Sequence, residues 1–361
     1  MTRTQRIGLY GLVFAALLAI LAWGQSSIGA QAVPTPPVPL GYPPNFAPGV
    51  NPLTGLAVTE PANLNRLPLI AKVSNAPDVV RPQAGIGAAD VVWEHYAEGG
   101  LTRFSAVYLG NTPQRIGSIR SARLIDEELV PMFGALFTYS GASPGTEAVL
   151  QSSDFVPQIY SGFTYGAPLY FRDFSIAAPN NLFIDPAAVW AEAAADGLTT
   201  PPDLRGWIFN VIVPAGESGA GVTAEVQYTD NNVRWEFDPL AGMYRRFNDG
   251  LAHTDALTGV QVAASNVVIL YADHLPTNIE EGVFNGVPYY GIDINLNGEG
   301  DAVVLRDGLQ YPVRWRRYDR RGLLSLWTLD GQPFAMKPGQ TWFQVFPLPE
   351  DQNGAEFVRI S

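Results

Sequence analysis

Short apolar runs separated by Gly, Pro and Asn-Gly or Asp-Gly pairs recur along most of the chain, and only a few stretches carry helical spacing. Leu69 to Val73 predicts a short strand. Asp90 to Glu98 (DVVWEHYAE) and Leu101 to Leu109 (LTRFSAVYL) are rich in β-branched and aromatic residues, and the Gly99-Gly100 between them predicts a hairpin. Ser121 predicts the cap of a helix reaching about Leu129, and Ala135 to Ser140 a buried strand. Asp185-Pro186 places a capping Asp and an N1 proline before AAVWAEAAAD, with Gly197 to close that helix. Thr199-Thr200-Pro201-Pro202 then breaks the chain.

From about Arg205 the pattern is almost all strand. Val222 to Tyr228, Val233 to Phe237, Met243 to Phe247, Asn266 to Tyr271, Ala302 to Leu305, Val313 to Tyr318, Leu323 to Leu329 and Trp342 to Phe346 are separated by turn residues such as Asn248-Asp249-Gly250, Asp307-Gly308 and Asp330-Gly331. The predicted fold class is therefore α+β: a mixed α/β N-terminal domain over 51–203 carrying the candidate site, and a mostly β C-terminal domain over 204–361.

The first residues change the picture of location. Arg3 and Arg6 precede an uncharged, mostly apolar run from Ile7 to Gly24, and Ala30-Gln31-Ala32 has the small residues of a cleavage site. Residues 1–32 read as a secretory signal, or as an uncleaved N-terminal anchor. Residues 33–50 read as a Pro-rich linker, with seven prolines between 33 and 48. Both readings place the remainder outside the cytoplasm, with membrane contact only through a retained N-terminal segment.

Composition narrows the function classes. With 36 glycines, 30 prolines and 16% charged residues, the chain is turn-rich and unlike a coiled coil. A net charge of −12 argues against a nucleic-acid partner, because duplex binding rests on Lys and Arg neutralising phosphates. The chain has no cysteine, which excludes disulfides, thiolate metal sites, a Cys nucleophile and lipid anchoring through Cys. No metal or cofactor is expected.

A two-residue Gly99-Gly100 turn would pair Tyr96 with Arg103 and Glu94 with Ser105. Glu94, Tyr96, Glu98, Arg103 and Ser105 would then share one polar face, either a preorganised binding surface or a solvated one with a modest ion pair. His95 would lie on the apolar face. Ile116 to Arg123 (IGSIRSAR) puts Arg120 and Arg123 at a loop-to-helix junction, where guanidiniums and helix-start amides suit an anion; the alternative is pairing with Asp126, Glu127 or Asp173.

Other motifs are weaker. Gly141-Ala-Ser143-Pro-Gly145 matches a nucleophile elbow, but Pro144 lacks the N–H that an oxyanion hole needs. Asp293 to Asp301 begins like a calcium loop, with Val304 where the bidentate Glu belongs. Arg314, Arg316, Arg317, Arg320 and Arg321 crowd one hairpin, which either meets anionic wall polymer or lipid headgroups or is solvated and balances nearby acids. In His253-Thr-Asp255 the imidazole and carboxylate project the same way, as a base–orienter pair or as a structural hydrogen bond.

Asn51 to Gly55 (NPLTG), Arg81-Pro82-Gln83, Ala89 to Val92, Glu98 to Phe104 (EGGLTRF), IGSIRSAR, Arg172-Asp173 and Ala178 to Leu182 together resemble the YerB-like "putative lipoprotein" family. Tyr244-Arg245, His253 to Asp255, Asn266 to Val268, Asp307-Gly308, Trp315 and Pro338 to Trp342 continue the resemblance. It covers nearly everything from Asn51 to Pro347 and implies a two-part bacterial extracytoplasmic protein whose domain has no assigned function. Relatives look acylated on a Cys that this chain lacks, and often carry His where Asn180 stands. The expectation is an accessory envelope protein binding a wall glycan, peptide or protein partner. Its binding set is Arg103, Arg120, Arg123, Arg172, Asp173, Asn180, Ser143, His253 and Asp255. The alternative is a hydrolase or transferase on wall polymers, with Glu94 and Glu98 as catalytic acid/base residues.

Overall fold

The computed structural model describes residues 46–361 apart from 217 and 285, so residues 1–32, read above as a signal or anchor, and most of residues 33–50 lie outside the described residues. The described residues all belong to one compact unit. The N-terminal part is mixed: β1 (Leu69–Ser74), β2 (Val91–Tyr96), β3 (Thr102–Tyr108), β4 (Ile116–Gly117), α1 (Asp126–Phe133), β5 (Leu136–Thr138), α2 (Pro144–Gln151), β6 (Tyr170–Arg172), β7 (Leu182–Ile184) and α3 (Pro186–Ala195).

The C-terminal part is mostly sheet. It runs through β8 (Ile208–Phe209), β9 (Gly219–Ala220), β10 (Thr223–Tyr228), β11 (Asn231–Asp238), β12 (Met243–Asn248), β13 (Leu251–Ala252) and β14 (Ala263–Ala264). Then come β15 (Asn266–Ala272), β16 (His274–Phe284), β17 (Val287–Ile294), β18 (Gly298–Arg306), β19 (Leu309–Arg317), β20 (Ser325–Thr328), β21 (Ala335–Met336), β22 (Thr341–Pro347) and β23 (Phe357–Ile360). No helix among the described residues is long and apolar enough to cross a membrane.

One sheet joins the two parts, in the order β20-β19-β18-β15-β22-β2-β3-β1-β5, with β9 on β19. The seam is the parallel pair β2–β22, from Val91 opposite Thr341 to Glu94 opposite Gln344. A second sheet, β13-β12-β11-β10-β23 with β14 on β12, covers part of one face. Alternation then sorts the core. Trp93, Val107 and Phe343 pack with α1 (Leu129, Val130, Phe133), while Val92, Phe104 and Trp342 pack with Val226, Val233 and Trp235 of the second sheet. Because both faces are covered, every residue of β2 is buried, Glu94 and His95 included.

Local signals explain where the elements start and stop. Asp185 accepts from the Ala187 and Ala188 amides at 2.9 and 3.2 Å, so α3 begins where its capping Asp and N1 proline predict. The helix predicted from Ser121 instead begins at Asp126 and ends at Gly134, whose φ is +53°. Residues before it are held extended, because Ile119 N–H donates to Leu182 O and Arg120 N–H to Lys72 O. Arg120 and Arg123 therefore do not sit on a helix N-terminus, and Asp126 itself takes the Arg123 amide at 2.8 Å.

The hairpin register also differs from expectation. Glu98–Gly100 forms a 3-10 turn, closed by Ala97 N–H to Leu101 O, rather than a two-residue loop. His95 now faces Arg103 and Glu94 faces Phe104. A slip of one residue exchanges faces, so Glu94 leaves the face shared by His95, Arg103 and Ser105.

Candidate functional site

The sheet separates the sequence-selected polar residues into two clusters. On the α1 side, β1 and β3 place Lys72 directly opposite Ser105. The Lys72 ammonium lies 2.6 Å from Asp126 Oδ1, 2.5 Å from Ser105 Oγ and 2.9 Å from His95 Nε2, with all four side chains buried. His95 Nδ1 lies 2.8 Å from Tyr96 O, so the proton sits on Nδ1 and Nε2 accepts from Lys72. Burial lowers Lys72 to about 8 and holds His95 well below its ordinary value. Each ammonium proton has an acceptor, which makes this a closed structural network.

Toward the surface the same face carries Glu98. Its carboxylate receives Arg103 Nη2 at 2.9 Å and Arg123 Nε at 2.5 Å, with Arg123 Nη2 as a further donor. Burial pushes Glu98 up, but the two guanidiniums outweigh it and hold the group at about 2. The arm made by β16 and β17 lies over this cluster: Glu281 Oε2 is 3.4 Å from Arg123 Nη1, and its Oε1 takes Thr146 Oγ1 at 2.5 Å.

Arg120 stands apart. Its Nε donates to Ser74 Oγ at 3.2 Å and its Nη2 to Asn180 Oδ1, and among the described residues it has no carboxylate within ion-pair distance. Arg172 is similar, donating to Asn181 Oδ1 at 2.7 Å. Asp173 pairs with Arg115 at 2.8 Å, not with Arg120 or Arg123.

On the opposite face, Glu94 is completely enclosed. Arg246 Nη2 donates to Oε2 at 2.8 Å, joined there by Gln344 at 3.0 Å and Trp342 Nε1 at 3.3 Å. Oε1 accepts from Thr102 at 2.9 Å and from Asn75 and Asn231, each at 3.2 Å. His253 bridges Arg246 Nη1 (2.7 Å) and Gln83 Oε1 (2.6 Å), and burial keeps it well below its ordinary pKa. Asp255 turns away to the Gly87 and Leu257 amides at 2.8 and 2.7 Å, so the expected imidazole–carboxylate pair is absent.

The remaining motifs are accounted for locally. Ser143 caps α2 by accepting from Thr146 N–H at 3.2 Å. Glu299 and Asp301 are taken by Arg314 and Arg316, while Arg317 pairs with Glu128 and Arg320 with Glu127. A cavity of about 700 Å3 beside Phe155, Pro202 and Arg321 holds none of the sequence-selected site residues. Sequence reasoning overlooked Lys72, Arg246 and Glu281. A lysine inside the apolar run LIAKVS, one of only two in the chain, was a readable signal for the first.

The shared motifs turn out to be partners of one another. Asn51 Nδ2 donates to Asp90 Oδ1 at 2.9 Å, Arg123 grips Glu98, and Gln83 meets His253. Residues 53–199 match the family described as "Protein of unknown function (DUF3048) N-terminal domain", and residues 224–343 match its C-terminal domain. The Bacillus subtilis (strain 168) protein named "Putative lipoprotein YerB" is 31% identical over 303 residues, covering 82% of this chain and 86% of that protein. The crystal structure of YerB from Bacillus subtilis superposes with a TM-score of 0.70 at 27% identity, covering 86% of this chain and 99% of that one. With both halves matched by the family's two domains and a relative 31% identical over 82% of the chain, the chain belongs to the two-part YerB-like DUF3048 family.

Proposed function

We propose that this is an exported cell-envelope protein with an accessory binding role, recognising an anionic group on a wall glycan, peptide or partner protein through Arg120. The observation that supports it is the state of that guanidinium. Neutral acceptors, Ser74 Oγ and Asn180 Oδ1, orient the fork without cancelling its charge, and Nη1 has no partner among the described residues. The neighbouring Arg103 and Arg123 are already neutralised by Glu98 and Glu281. The leader-like start of the chain and the lipoprotein name of YerB support the location.

The alternative, acid/base chemistry on wall polymers, needs a carboxyl that holds a proton near neutral pH. Glu98, at about 2, stays ionised, and Glu94 has no exposed surface. The binding reading is therefore the better supported. It is tested by retention on purified wall material at low and high salt. Wild type should be retained, Arg120→Ala released, and retention should weaken with salt. No retention of wild type, or equal retention of the variant, overturns it.

A further inference from the structure

We infer that a groove between the two parts of the chain binds a ligand carrying a primary ammonium on an aliphatic stem, at a site separate from Arg120. Two adjoining cavities, about 380 and about 290 Å3, share Asp78, Arg81 and Asp249. One is lined from the N-terminal part by Asn75, Val79 and Leu101 and from the C-terminal part by Asp230 and Asn231. The loops forming it are pressed together: a Cβ on Gly100 would lie 2.8 Å from Thr229 Cβ.

Its chemistry differs from that of the Arg120 face. Arg81 is already paired with both Asp78 and Asp249, the latter at 2.7 Å, so the groove offers no spare positive charge. Asp230 is exposed and has no ion pair or side-chain hydrogen bond among the described residues, leaving three aspartates against one arginine in the lining. The same cavity is lined by Val79 and Leu101, 58% and 38% exposed. The buried floor amides of Asn75 and Asn231 are turned inward onto Glu94 and Thr102. A methylene stem suits the Val79–Leu101 wall, and an ammonium at its end suits Asp230. An anion would meet uncompensated carboxylate charge.

The probe is the tripeptide acetyl-Ala-Lys-Ala-amide, compared by NMR titration with its Nζ-acetylated form. The lysine peptide should bind and weaken as salt rises, and the acetylated form should not bind. Asp230→Asn should weaken binding by up to about fivefold, the upper end for an exposed ion pair. Arg120→Ala should bind the lysine peptide as wild type does, which separates this site from the wall-binding reading. Equal binding of the acetylated peptide, no effect of Asp230→Asn, or no binding at millimolar peptide overturns the inference.

Discussion

Arg246 Nη2 lies 2.8 Å from Glu94 Oε2, and both side chains are fully removed from solvent although 152 residues separate them in the chain. The pair ties β2 of one part to β12 of the other, between the two sheets. Removing one partner of a buried ion pair leaves an uncompensated charge, which costs about 3–5 kcal/mol. Arg246→Leu should therefore lower stability by about that amount, read from urea unfolding. A loss below about 1 kcal/mol would mean that the surrounding amides of Asn75, Asn231 and Gln344 solvate the carboxylate unaided.

Glu98 gives a stability term with a defined pH window. Its folded pKa, about 2, lies below its ordinary value of 4.5. The stabilisation is thus complete above pH 4.5 and is lost as pH falls through the folded value. Glu98→Gln should be less stable at pH 7 by about 3 kcal/mol, with the difference from wild type shrinking between pH 4.5 and 2. A constant difference across that window would show that the Arg103 and Arg123 contacts do not set the titration.

The same residue shows how far the sequence could be read. Two strands joined at Gly99-Gly100 were legible, because β-branched and aromatic runs broken by glycines have few alternatives. The loop length was not. A three-residue 3-10 turn and a two-residue loop fit the same letters, yet they put Glu94 on opposite faces. Alternation is silent when both faces of a strand are buried, as in β2. The contact of Arg123 with Glu98 was not anticipated, although both lay in motifs flagged by the sequence. Glu281 was invisible, because nothing in β16 announces that the arm folds back over EGGLTRF.

Gly99 and Gly100 should respond differently to substitution. Both have positive φ, +70° and +77°. Around Gly99 an added Cβ would meet nothing closer than Tyr289 at 3.6 Å, whereas at Gly100 it would meet the Thr229 side chain at 2.8 Å. Gly99→Ala should cost about 1 kcal/mol, the conformational term alone. Gly100→Ala should cost about 1–3 kcal/mol more, since overpacking is added to it. Thermal unfolding of the two variants measures the gap, and equal losses would place the Thr229 turn farther from the hairpin.

Buried histidines should make the fold acid-sensitive well above the carboxylate range. Burial, followed by the charges of Lys72 for His95 and Arg246 for His253, keeps both imidazoles neutral well below the ordinary value of 6.5. The unfolded chain takes up protons there that the folded chain does not, so stability present above pH 6.5 is lost as pH falls below it. Asp90 acts in the other direction: burial raises it from 3.8 to about 6, and the folded state gains a proton first in that interval. The histidines together outweigh it, and urea unfolding at pH 5 should show a lower stability than at pH 7. His253→Gln keeps a donor and an acceptor for Gln83 and Arg246 while removing one titration. It should flatten the slope by up to about 1.4 kcal/mol per pH unit. An unchanged slope in this variant would assign the acid sensitivity to groups outside the Glu94–Arg246–His253 cluster.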